Sequence, residues 1–88
     1  MPVPNLDALP HDELTAFWSR FRDPSDEDLA ELGEHDEDSK DAAETLAAYA
    51  MAKACAIELR LKGEITRAQV YEQHCDCYYD DLPEKYRW

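Results

Sequence analysis

Apolar residues recur at intervals of three and four along much of this chain, the spacing that places them on one face of a helix. The first such stretch predicts a helix over residues 10–22. Pro10 can begin it, because the N–H groups of the first helical turn have no partner within the helix and proline loses nothing by lacking one. Its aromatic face is expected to enter the core, with an exposed binding face as the alternative. The face comprises Leu14, Phe17, Trp18 and Phe21.

The second stretch runs over residues 40–62 without glycine or proline and predicts the longest helix, capped by Asp38 or Ser39. Its wide apolar face indicates a central position in the fold, and its many alanines allow neighbouring backbones to approach closely. That face comprises Ala42, Ala43, Leu46, Ala47, Tyr49, Ala50, Ala54, Ile57 and Leu61, while Glu44, Lys53, Glu58 and Lys62 are left for solvent.

The third stretch predicts a last helix over residues 67–81. Thr66 and Gln69 have the spacing of a capping box, and Ile65 and Val70 that of a hydrophobic staple. Gly63 ends the preceding helix, so the short connection folds the last helix back antiparallel against the long one. One apolar seam is expected to face the long helix: Ala68, Tyr71, Cys75, Tyr78 and Leu82.

The two ends of the chain complete one domain over residues 1–88, an all-α, small three- to four-helix domain built on the C-terminal antiparallel hairpin. Residues 1–9 contain two prolines and predict an extended arm, and residues 82–88 predict an aromatic turn. Tyr78, Tyr79, Tyr86 and Trp88 are expected to plug the open end of the core. The alternative is that Tyr79, Tyr86 and Trp88 anchor a partner.

Acidic residues dominate the charge: 21 acids against 9 bases give a net charge of −12. Residues 23–41 hold ten of those acids and one base. Within them, residues 23–39 are predicted to form an acidic loop with a short helix. Ser25 and Asp28 have the spacing of a capping pair at the start of that helix. This charge argues against direct binding to nucleic acid or to an anionic membrane. We expect a neutral or basic partner.

The acidic segment has two interpretations. It is either a solvated loop that keeps the protein in solution, or an array of carboxylates that mimics the phosphates of nucleic acid and fills the groove of a basic nucleic-acid-binding protein. The carboxylates assigned to such a contact are Asp26, Glu27, Asp28, Glu31, Glu34, Asp36, Glu37 and Asp38.

Cysteine and histidine raise the question of a metal or catalytic site. His74, Cys75 and Cys77 are neighbours, but Cys75 and Cys77 lie on nearly opposite sides of a helix, and nothing places Cys55 beside them. No positioned base, oxyanion hole or phosphate-binding loop is visible. We therefore expect no catalytic site, no metal and no cofactor.

The composition also predicts the cellular compartment of the protein. No apolar run approaches the ~20 residues that span a bilayer, and the first residues lack the pattern of a secretory signal. An odd number of cysteines fits a reducing compartment. These features predict a cytoplasmic protein with free thiols.

Four short motifs carry a resemblance: an LP–EL–FW opening, an LRLxGxI turn, a YExxCD segment and an LPxxxRW ending. A variable acidic middle separates the opening from the turn. The motif positions are Leu9, Pro10, Leu14, Phe17, Trp18, Leu59, Arg60, Leu61, Gly63, Ile65, Tyr71, Glu72, Cys75, Asp76, Leu82, Pro83, Arg87 and Trp88. In these motifs the chain resembles very short bacteriophage and prophage proteins without assigned activity. The resemblance implies a phage-related origin, hence the cytoplasm of a host cell, and transfers no activity.

Two functions remain open on these observations. The first is a non-catalytic acidic module by which a small phage accessory protein binds and modulates a host protein. The alternative is a structural virion or assembly component that acts as a homo-oligomer. The two differ in whether the carboxylates or the aromatic C-terminus carries the contact.

Overall fold

A computed structural model describes residues 5–31 and 39–88, without the side chains of Ser39 and Lys85. Within these residues the chain is all-helical and contains no strand, which confirms the predicted fold class. None of the helices in this part of the chain is both long and apolar enough to cross a membrane. The α-helices are α1, His11–Phe21; α2, Asp26–Glu31; α3, Ser39–Leu61; and α4, Ile65–Asp81, with 3-10 turns at Leu6–Ala8 and Glu84–Tyr86.

The long helix α3 lies at the centre, and α1 and α4 both pack along it. Its buried surface is mostly alanine, with Leu46 and Tyr49 as the large buried residues. Small side chains let the flanking helices come close, so that their larger side chains fill the space between backbones. The predicted seam of α4 contributes to this contact, since Ala68, Cys75 and Leu82 are buried.

The turn between α3 and α4 follows from one glycine. Gly63 has a φ of +81°, the left-handed conformation that glycine adopts without steric cost. The N–H of Gly63 donates to the carbonyl of Arg60 at 3.1 Å, and the N–H of Glu64 donates to that of Leu59 at 2.8 Å. This pair of bonds is a Schellman motif, which closes the antiparallel hairpin in three residues.

The predicted capping box and staple at the start of α4 are wrong. The helix already begins at Ile65, with Glu64 as its N-cap residue, so Thr66 lies inside the first turn. Ile65 and Val70 are 42% and 47% exposed instead of packed as a staple. The tight Schellman turn is the physical reason, because the chain re-enters helical geometry directly after Glu64. Leu61, expected on the buried face, is 84% exposed at the end of α3.

The predicted extended N-terminal arm is also wrong over its described part. Leu6–Ala8 forms a 3-10 turn, and the side chain of Asn5 caps it by accepting a hydrogen bond from the N–H of Asp7 at 3.0 Å. Leu6 is completely buried in the core. The prolines of this segment suggested an extended conformation, but burial of Leu6 holds it as a 3-10 turn.

The predicted short helix α2 begins as expected. The Ser25 hydroxyl accepts a hydrogen bond from the N–H of Asp28 at 3.3 Å, and the Asp28 carboxylate accepts one from the N–H of Ser25 at 3.1 Å. This reciprocal pair satisfies free donors at the helix start. Leu29 is buried against the core, which supplies the docking that so short a helix requires.

Candidate functional site

The carboxylate of Asp7 joins three distant parts of the chain. It accepts hydrogen bonds from the hydroxyl of Tyr49 in α3 and, at 3.2 Å, from the indole Nε1–H of Trp88. The ammonium of Lys53 lies 3.5 Å from the same carboxylate. Asp7 therefore has its partners within the protein and holds the Leu6–Ala8 turn and the C-terminal segment against α3.

These contacts shift two pKa values in opposite directions. Partial burial by itself raises the pKa of Asp7, but the hydrogen bonds from Tyr49 and Trp88 and the charge of Lys53 outweigh it and lower the pKa below its ordinary value. Burial, followed by the hydrogen bond to Asp7, raises the pKa of Tyr49. The pair is consequently a carboxylate and a neutral phenol at neutral pH.

Trp88 packs edge-on between two tyrosines. Its ring centroid lies 4.7 Å from those of Tyr49 and Tyr79, with interplanar angles of 79° and 78°. The Tyr79 hydroxyl also donates to the Trp88 carbonyl at 2.7 Å. Such edge-to-face contacts are the favoured arrangement of aromatic rings. They fold the C-terminal segment back over the end of the helical core.

The three aromatic residues assigned to a partner contact differ in accessibility. Tyr86 is 2% exposed and belongs to the core, so its assignment as a surface contact is wrong. The cause is the 3-10 turn Glu84–Tyr86, which directs that ring into the hydrophobic cluster that also contains Leu82. Tyr79 and Trp88 are half-buried and keep part of their surface accessible.

An open groove of 480 Å³ lies beside this aromatic group. Three carboxylates, three aromatic rings and one amide form its lining: Asn5, Asp7, Tyr49, Asp76, Tyr79, Asp80 and Trp88. It brings residues from the first turn, from α3, from α4 and from the C-terminal segment to one place. It therefore combines carboxylates with aromatic surface in one concave feature.

Two of the groove carboxylates lie on one line along α4. Asp76 and Asp80 are four residues apart and hence one turn apart on the same side of the helix. Glu72, one turn earlier, is bound by Arg60 through two hydrogen bonds of 2.6 and 3.0 Å, which lower the pKa of Glu72. No such ion pair engages Asp76 or Asp80 among the side chains that the structure describes.

Arg87, a cation of the C-terminal segment, is bound to the backbone and is not part of the groove lining. Its guanidinium donates to the carbonyls of Leu82 and Asp80 at 3.0 and 2.9 Å. It also lies 5.6 Å from the ring centroid of Tyr79. Arg87 thereby fixes the bend after α4 and stacks on an aromatic ring.

The acidic segment is engaged internally over part of its length. Arg20 binds Asp28 and Glu31 with its guanidinium, and these bonds raise the pKa of Arg20. The pKa of Asp28 is lowered mainly by the hydrogen bond from the N–H of Ser25 and further by the bond from Arg20. Asp26 and Glu27 are exposed. The remaining assigned carboxylates lie outside the described residues: Glu34, Asp36, Glu37 and Asp38.

The cysteine and histidine cluster has local explanations. Cys75 is buried and its thiol donates to the carbonyl of Tyr49 at 3.8 Å, while Cys77 is exposed and Cys55 is half-buried. His74 lies beside the rings of Tyr71 and Tyr78. Over the described ranges, no three His, Cys, Asp or Glu side chains are arranged to hold a metal ion.

Comparison of the chain with protein-family models, with curated proteins and with solved structures finds no match. The groove is therefore interpreted from its own residues. The spacing of four residues between Glu72, Asp76 and Asp80 is the local sequence signal for this line of carboxylates. The contact of Asp7 with Trp88 joins positions 81 residues apart, and no local pattern indicates it.

Proposed function

We propose that this protein is a non-catalytic acidic interaction module that binds a basic protein partner, in the manner of a small phage accessory protein acting on a host protein in the cytoplasm. The observation that carries the proposal is the groove, in which carboxylates lie beside aromatic surface on a chain of net charge −12. Acidic and aromatic groups together suit a partner that offers cations on an apolar stem. A basic nucleic-acid-binding protein has this chemistry.

The net charge also supports fast and selective encounter. A strongly negative surface attracts basic partners, repels nucleic acid, and loses this attraction as salt screens the charges. The net charge thus acts in association with a partner as well as in keeping the protein in solution.

A non-catalytic role agrees with the state of the buried thiol. Burial raises the pKa of Cys75 to about 11, so at neutral pH it is a protonated thiol and a poor nucleophile. Its hydrogen bond goes to a backbone carbonyl and not to a general base.

Capture of partners from bacterial lysate tests the proposal. The tagged protein is incubated at low salt, washed with increasing salt, and the released proteins are identified by mass spectrometry. We expect a basic host protein that elutes as salt rises. Elution of no basic protein above a tag-only control contradicts the proposal.

The second candidate is a structural homo-oligomer, such as a virion or assembly component. Exposed apolar side chains on the last two α-helices favour it: Met51, Leu61, Ile65 and Val70. Light scattering after size-exclusion chromatography measures the mass directly. An oligomer that Leu61→Lys with Val70→Lys dissociates supports this function, and a monomer at all concentrations rules it out.

A further inference from the structure

We propose that the groove between α4 and the C-terminal segment is the docking site for an arginine side chain of a basic protein partner. Asp76 and Asp80 bind the guanidinium, and the accessible surface of Trp88 and Tyr79 contacts the guanidinium plane and the stem. This inference rests on the proposed function and names the surface and the partner chemistry through which it operates.

The groove has carboxylates that the described part of the protein does not use. Asp7 is engaged by Tyr49, Lys53 and Trp88, so its role is to hold the wall of the groove in place. Asp76 and Asp80 are exposed and form no ion pair with another described residue. An incoming cation therefore meets two carboxylates that have no ion-pair partner among the described side chains.

The arrangement favours a guanidinium over an ammonium. Carboxylates one helical turn apart are separated by about 5–6 Å at Cβ, a span that the flat fork of five N–H donors bridges. The guanidinium also stacks on aromatic surface, whereas an ammonium is a compact and strongly hydrated charge. The half-buried rings of Tyr79 and Trp88 supply that surface.

The chain itself shows the same recognition elsewhere. Arg20 bridges Asp28 and Glu31, two acids three residues apart on α2, and the Arg87 guanidinium lies 5.6 Å from the Tyr79 ring centroid. An acid pair at helical spacing thus accommodates one guanidinium in this molecule. The pair on α2 is filled by Arg20, which makes the pair on α4 the better receptor for a partner.

Nuclear magnetic resonance of the full ¹⁵N-labelled chain tests the site with an oligoarginine peptide at low salt. We expect shifts at the backbone amides of Asp76 and Asp80 and at the indole N–H of Trp88. The indole of Trp18, the second tryptophan, lies on α1 away from the groove lining and is the internal reference. An oligolysine peptide of equal length should bind about threefold or more weakly, since it lacks the bidentate geometry.

Two charge-matched double variants complete the test. Asp76→Asn with Asp80→Asn should weaken oligoarginine binding about tenfold, the loss typical of a charge-assisted contact. Asp23→Asn with Glu44→Gln removes the same charge from exposed positions outside the groove and should weaken it less than about twofold. Circular dichroism and thermal melting confirm that both variants are folded.

The outcomes separate this inference from the proposed function. Shifts confined to Asp26–Glu31 with Trp88 unmoved, equal losses in both double variants, or equal affinity for oligolysine each overturn the arginine site. If the lysate experiment still recovers a salt-released basic partner, the acidic module stands and uses another surface. If it recovers none, the proposed function fails whatever the peptide does.

Discussion

Asp7 shows how a half-exposed side chain can organise a small protein. Its carboxylate is 51% exposed, yet it accepts hydrogen bonds from α3 and from the last residue of the chain. Hydrogen bonds to a charged acceptor are stronger than neutral ones, although access to water reduces their net contribution. One carboxylate thus holds the groove wall without being deeply buried.

Asp7→Asn should lower the free energy of unfolding by about 1 kcal/mol at neutral pH, because the amide loses the ion pair and weakens both accepted bonds. The pKa of Asp7 is lowered in the folded state, so its contribution is present above the unfolded value of about 3.9 and is lost as pH falls through the folded pKa. Urea unfolding at a series of pH values should show the two proteins converging in acid. A stability gap that is constant down to about pH 2 would contradict this account.

The three cysteines should differ sharply in reactivity. Cys77 is exposed, Cys55 is half-buried, and Cys75 is buried with its pKa raised to about 11, so labelling should proceed in that order. Thiol labelling followed by peptide mass spectrometry measures the order in the folded protein. Cys75 should react only after denaturant is added, and Cys77→Ser should remove the fastest phase. Rapid labelling of Cys75 in the native state would be incompatible with the packing of α4 on α3.

Helix α4 has two different faces, one buried and one acidic. Its apolar seam of Ala68, Cys75 and Leu82 faces α3, while Asp76 and Asp80 project toward the groove. The direction in which α4 leaves the turn after α3 therefore decides where the groove carboxylates lie. The Schellman turn at Gly63 sets that direction.

Gly63→Ala should destabilise the protein by about 1 kcal/mol through backbone strain at positive φ. A Cβ at this position would meet no atom within 4 Å, so steric contact does not contribute. Gly63→Asn should cost less, since asparagine tolerates the left-handed region better than alanine does. Chemical denaturation of the three proteins measures the order, and an alanine variant as stable as the parent would show that the turn is not left-handed in solution.

At the scale of the whole molecule, the C-terminal segment closes the fold. Trp88 contacts α3 through Tyr49, α4 through Tyr79 and the first turn through Asp7. A domain of 88 residues has a small core, so a ring that joins three elements contributes a large share of its stability. The same closure forms one wall of the groove.

Trp88→Ala should lower the free energy of unfolding by about 2 kcal/mol, less than for a fully buried tryptophan because the ring is half-buried. It should also speed hydrogen exchange in the turn at Leu6–Ala8. Trp88→Phe keeps an aromatic ring but removes the N–H donor to Asp7, so its loss should be smaller. Equal effects of the two variants would assign the stability to the indole hydrogen bond alone and not to ring packing.

Periodicity and turn chemistry in the sequence determined the helical elements. The apolar spacing of α1, the uninterrupted run of α3 and the seam of α4 each gave a helix within a few residues of its observed bounds. The Ser25–Asp28 pair also acts as predicted. These features depend on residues close together in sequence, and local geometry fixes such contacts.

Long-range packing formed the groove and positioned the Leu6–Ala8 turn and the C-terminal segment. Leu6 is buried despite its proline-rich surroundings, Tyr86 turns inward, and Thr66 lies inside α4 because the preceding turn is tight. The lining of the groove joins Asp7 to Trp88 across nearly the whole chain. Contacts between such distant positions arise from helix packing, which sequence periodicity indicates as a buried face but does not assign to particular partners.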